Sequence, residues 1–108
     1  MKKEEIMEEF AKLAKLHPKL MNISITFNGG SDYGWADAPN FKDVYSLPVE
    51  INESVFHSRE ISYNILEQVL GRDWTVSDYV YGTISISHDG IEVDGVRDEP
   101  VPFTKEME

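Results

Sequence analysis

Carboxylates are the most abundant chemically active groups in this chain: twenty Asp and Glu stand against ten Lys and Arg, with three histidines and no cysteine, for a net charge of −10. Paired carboxylates can serve as general acid and base across a glycosidic bond. Among twenty acids some pair always fits, so pairing alone selects none. His17, His57 and His88 sit in three separate segments, and none has a second ligand at the spacing of a helical metal site. Asp89, Glu92 and Asp94 do not match the spacing of a calcium loop. The stretch Gly29-Gly30-Ser31-Asp32-Tyr33-Gly34 invites a phosphate-loop reading, but neither a Gly-Lys-Ser/Thr nor a helix start follows it. No G-x-S-x-G turn presents a serine nucleophile. Without cysteine there are no disulfides and no thiolate ligands, a composition suited to a reducing compartment. The residues therefore point to no catalytic group, cofactor or metal.

The charge is unevenly spread. Residues 1–72 hold eleven acids and eight bases, whereas residues 73–108 hold nine acids against Arg97 and Lys105, a net of −7. Direct nucleic-acid binding needs a cationic face, so this balance argues against it and favours a basic partner. Glu92 and Asp94 fall one strand step apart, about 6.5–7 Å, close to the per-strand phosphate spacing of DNA. Asp98 and Glu99 can extend that stripe. The plainer reading is solubility, since net charge keeps small proteins apart. Asp32, Tyr33 and Trp35 form a second candidate surface, because aromatic residues on an exposed loop often anchor a partner.

A chain of 108 residues makes one domain, here 1–108 with a tail expected to fray from about residue 104. No apolar run has the length of a secretory signal or a membrane span, and no lipidation motif is present, so a soluble cytoplasmic setting without membrane contact is expected. Ile6, Phe10, Leu13 and His17 repeat at helical spacing over residues 3–17, with Glu8 and Lys12 at i,i+4 and Pro18 as a stop. Strict alternation over Asn22 to Asn28 predicts a strand. A loop through Pro39 and Asn40 follows, then a second strand over Leu47 to Ile51 with Pro48 near an edge. Ile61, Ile65, Leu66 and Val69 make a helix over 55–70, capped by Ser54 or Ser58 and stopped at Gly71. Trp74 and Val76 read as extended. Two alternating runs around Asp89-Gly90 form a hairpin, with Ile86 opposite Val93 and Ile84 opposite Gly95. The tail from Arg97, with Pro100 and Pro102, reads as surface chain. The expected fold is α+β in two layers, a mainly antiparallel sheet of about four strands with two helices in the order α-β-β-α-β-β.

Three segments, Asn28-Gly29-Gly30-Ser31-Asp32-Tyr33-Gly34, Asp73-Trp74-Thr75-Val76-Ser77-Asp78 and Tyr81-Gly82-Thr83-Ile84, together resemble a domain family of bacteria, phages and mobile elements that has no established activity. The family pattern is a G-x-G-D-x-G turn that precedes a helix, and a G-W-E-x-N-D/E-G-x-x-G-T segment leading into the last hairpin. The resemblance spans roughly residues 23–96. The chain departs from the pattern at Ser31, Asp73 and Tyr79. It implies an accessory protein of a phage or mobile element that binds host proteins. It also implies that Asp32, Trp74, Asp78 and Gly82 form one structural unit, with Trp74 a core lid carrying a hydrogen-bonded indole and Gly82 a point of close backbone approach.

The expected function is a non-enzymatic binding protein whose acidic hairpin and C-terminal segment occupy a basic surface of a nucleic-acid-handling protein, such as a nuclease of a bacterial defence system, and so inhibit it. A structural or oligomerising domain, dimerising through sheet edges, is the alternative. A small hydrolase or metal enzyme centred on Asp32 and a histidine is the third.

Overall fold

Alternation and 3.6-residue periodicity sort the apolar residues to one side of each element, and burying those sides against one another gives the fold. The computed structural model describes residues 1–41, 47–76, 79–98 and 101–108. In chain order the elements are α1 (Lys3–Leu16), β1 (Asn22–Gly30), β2 (Tyr33–Ala36), α2 (Pro48–Asn52), a 3-10 turn (Val55–His57), α3 (Glu60–Leu70), β3 (Val80–Ser87), β4 (Gly90–Arg97) and β5 (Val101–Glu106). The strands form one antiparallel sheet in the order β2-β1-β3-β4-β5. Ile23, Ile25 and Phe27 of β1, Val80, Ile84 and Ile86 of β3, and Ile91 and Val93 of β4 turn to one side. There they share a core with Ile6, Phe10 and Leu13 of α1 and Ile61, Ile65 and Leu66 of α3. The α+β class and the antiparallel sheet are as the sequence predicts.

Several elements differ from expectation, each for an identifiable reason. The segment 47–51 is not a strand. Pro48 sits in the first turn of the short helix α2, where its fixed φ and missing N–H are tolerated, and a five-residue apolar alternation does not separate strand from helix. The second strand is β2, which the loop reading passed over. Ser31 and Asp32 form its hairpin turn with φ of 53° and 68°, the two positive angles a type I′ turn requires. The predicted helix over 55–70 breaks at Ser58–Arg59: Ser54 Oγ accepts from Phe56 N–H in the 3-10 turn, and Ser58 Oγ accepts from Glu60 N–H at the start of α3. Trp74 lies in successive turns, not on an extended piece. In α1, Lys12 pairs with Glu9 at 3.1 Å, not with Glu8.

The last hairpin keeps its faces but not its expected register. His88 and Asp89 make the turn, so Ile86 opposes Ile91, Ile84 opposes Val93, and Gly95 opposes Gly82. The one positive φ here belongs to Gly90, at 138°, after the turn residues. A turn followed by a positive-φ glycine is the other common way to close a short hairpin. Moving the turn by one residue shifts each partner by two, so the same side chains stay inward.

The C-terminal segment is not a frayed tail. Val101–Glu106 pairs along β4, Met107 N–H donates to Ile91 O at 2.9 Å, and the Met107 side chain is buried in the core.

An acidic and aromatic open sheet face

With α1 and α3 on the core side, the other face of the sheet carries no helix among the described residues. Residues directly opposite in a pairing share a face, so the register lays out this face in rows. One row runs Ser24, Ser85, Glu92, Glu106 from β1 to β5, and the next runs Thr26, Thr83, Asp94, Thr104. Thr104 Oγ1 donates to Asp94 Oδ1 at 3.1 Å, and Thr26 Oγ1 donates to Asp37 Oδ2 at 2.5 Å, which brings a further carboxylate to the face just beyond β2. A shallow hollow of about 210 Å³ lies at the turn end, and Lys3 lines it together with Ser85, Ser87, Glu92 and Glu106.

Glu92 and Glu106 are direct cross-strand neighbours. Because Met107 N–H bonds to Ile91 O, the pair one residue back is of the non-hydrogen-bonded kind, in which side chains approach most closely. Like charges so placed repel. Among the described residues Lys12 pairs with Glu9, and His17 Nε2 stands 3.5 Å from Glu50 Oε1; neither contact lies on this face.

The opposite end of the open face is aromatic. Trp35, Asn28 and Tyr81 share a row that continues to Val96 and Pro102, and Tyr33 and Gly30 share the row beyond. Tyr79 precedes β3 on the same side as Tyr81, and the two rings stack with centroids 6.1 Å apart and planes 21° from parallel. The Arg59 guanidinium stands 5.1 Å from the centre of the Trp35 ring. Tyr33 is 77% exposed and Tyr81 50%.

The glycines at this end have a structural cause. A Cβ on Gly34 would overlap Thr75 and the Trp74 ring, and one on Gly29 would come within 2.8 Å of that ring. The indole is buried beneath the β1–β2 hairpin, edge-on to Phe27 at 6.1 Å. Asp32 N–H donates to Thr75 O at 2.9 Å, tying the strained turn to the Trp74 segment. At position 82 a Cβ would overlap the Asp94 carbonyl oxygen, so the backbones of β3 and β4 do approach closely there.

The structure brings Asp32, Tyr33, Trp35 and Asp98 to one end of the sheet, Asp98 beside Tyr79 through its N–H to Tyr79 O at 2.8 Å. Glu92 and Asp94 lie on the same open face but nearer the far end. Glu99 and Asp78 fall outside the described residues. Sequence reasoning missed three participants. Glu106 falls in the segment expected to fray, and Tyr79 and Tyr81 enter only through the family resemblance, although their i,i+2 spacing ahead of a strand marks one face. Asp32 lies in the β1–β2 turn near the start of β3 and His88 follows its last residue, about 25 Å away by strand rise, so that pair forms no site. No group of three or more His, Asp or Glu among the described residues is arranged to hold a metal, and no helix among them is long and apolar enough to cross a membrane. No family model matches the chain, and no curated protein or solved structure matches it.

Proposed function

We propose that this chain is a small non-enzymatic binding protein that docks its open sheet face on a basic surface of a nucleic-acid-handling protein and inhibits it by occupying the groove meant for a phosphate backbone. The observation that carries the reading is the Glu92–Glu106 pair with Asp94 in the next row, none of the three in an ion pair among the described residues. Solubility asks only for charge of mixed sign spread over the surface. A like-charge pair held face to face costs stability, and a cationic partner turns that cost into attraction. Acids in adjacent rows lie about 6.5–7 Å apart along the strands, a spacing that suits a groove built for phosphates. The phage or mobile-element context rests on the family resemblance, and a cytoplasmic setting is where such a target would be met.

The test is binding to a panel of purified nucleases and other nucleic-acid-binding proteins. Affinity for a true target should fall steeply between about 50 and 200 mM salt. The triple reversal Glu92→Lys, Asp94→Lys and Glu106→Lys should abolish binding while the fold persists. A partner that lacks a basic surface, or an affinity unchanged by salt, would refute the reading.

A further inference from the structure

We infer that the aromatic end of the open face is a slot for an arginine side chain, and that this slot sets the register of the basic partner on the sheet. The inference rests on the docking role proposed above and adds the chemistry of one contact to it. β1 runs between β2 and β3. Across it the register sets Trp35–Asn28–Tyr81 and, one step further out, Tyr33–Gly30, with Tyr79 following on the β3 side. The inner row therefore reads Trp35, Asn28, Tyr81, and the outer row sets Tyr33 beside Gly30, where β1 carries no side chain. Adjacent strands lie about 4.7–4.9 Å apart, so the two aromatic walls rise roughly 9.5 Å apart over a lane whose one side chain is Asn28. A planar group in contact with a ring on each side needs about 7 Å, so one flat group fits, with room for the rings to tilt.

Charge and shape select guanidinium among flat groups. Asp32 flanks the slot at the hairpin tip, Asp98 flanks it beside Tyr79, and Asp94 stands one row away. A nucleobase would bring a phosphate into this acidic field and be repelled. A lysine ammonium brings the right charge but is compact and strongly hydrated. Guanidinium is planar, weakly hydrated and stacks on aromatic faces. Arg59 over Trp35 already shows the same contact made from within the chain. The tyrosine hydroxyls and the Asn28 amide oxygen supply acceptors for its N–H groups.

Fluorescence reports on the slot, because Trp35 is half-buried at its wall while Trp74 is buried on the core side of the same hairpin. Two seven-residue peptides of equal charge serve as probes, one with a central arginine between lysines and one with lysine throughout. At low salt the arginine peptide should perturb Trp35 emission and bind about five- to tenfold tighter, the range a partly desolvated cation–π contact provides. Tyr81→Leu, and separately Tyr33→Leu on the other wall, should lower the arginine peptide to the level of the lysine peptide and leave the lysine peptide unchanged. Equal affinities in the unmodified protein would overturn the slot while leaving the acidic docking face standing. Tighter binding of oligouridine than of either peptide would overturn the slot as well. If neither peptide binds at low salt, the slot and the docking reading fall together.

Discussion

Glu92 and Glu106 show how much one residue's place in a register matters. Each is an ordinary surface acid in the sequence, and each becomes half of a repulsive pair only when β5 lies beside β4. Glu106→Lys should convert the repulsion into attraction and raise folding stability by about 0.5 kcal/mol, within the range for cross-strand charge pairs. The same substitution should weaken binding to a basic target. Urea denaturation of the two proteins checks the first half, and a variant no more stable than its parent would show that the pair is not strained. Gly34 teaches the complementary lesson. The glycine-rich stretch reads as a turn leaving a strand, yet Gly29 and Gly34 also clear space for the Trp74 indole. Nothing local in Gly29-Gly30-Ser31-Asp32-Tyr33-Gly34 announces that a tryptophan forty residues later will lie beneath it.

Among elements, β5 was the least legible and is among the most consequential. Pro100 and Pro102 argue against a strand interior, and most of its side chains are exposed, so no apolar alternation marks it. It forms because it is an edge. Met107 N–H points toward β4, so by alternation the N–H positions of 102, 104 and 106 face outward, and Pro102 occupies a place where no ladder bond is needed. The buried Met107 side chain anchors its end. Met107→Ala should therefore cost about 2 kcal/mol, the lower end for truncating a buried methionine, and should raise amide exchange selectively along 101–106. Unchanged stability and protection would mean that backbone pairing alone holds β5. The long helices α1 and α3 and the last hairpin were more legible, because their periodicity extends over two or more turns or over both arms. What slipped was the turn of the hairpin, since either Asp89-Gly90 or His88-Asp89 leaves the apolar side chains on the same face.

At the scale of the whole molecule, both sheet edges are guarded. At the β2 edge, Ala36 N–H donates to Tyr63 Oη at 3.2 Å and Ser62 Oγ donates to Asp37 O at 2.7 Å, so α3 covers the strand end. At the β5 edge, Pro102 removes an outward donor and Lys105 adds charge, both devices that discourage edge-to-edge pairing. The net charge of −10 adds mutual repulsion between copies. The chain should therefore remain monomeric in light scattering up to about 100 μM at moderate salt, a concentration at which an edge-paired dimer with micromolar affinity would dominate. A concentration-independent dimer would favour the oligomerising alternative.

Local pattern was enough to assign faces. Alternation says which side chains of a strand point inward, whatever lies beside it, because the pleat repeats every two residues. That is why α1, β1, the closing hairpin and the α+β class could be read directly from the chain. Lateral neighbours are a different matter. Tyr33 and Trp35 come to flank the same lane as Tyr79 and Tyr81 because β1 pairs with β2 on one side and β3 on the other. Glu106 reaches Glu92 because the last strand folds back on β4. Those adjacencies join residues far apart in the chain, and they depend on the total burial of the core, which no short stretch of sequence contains.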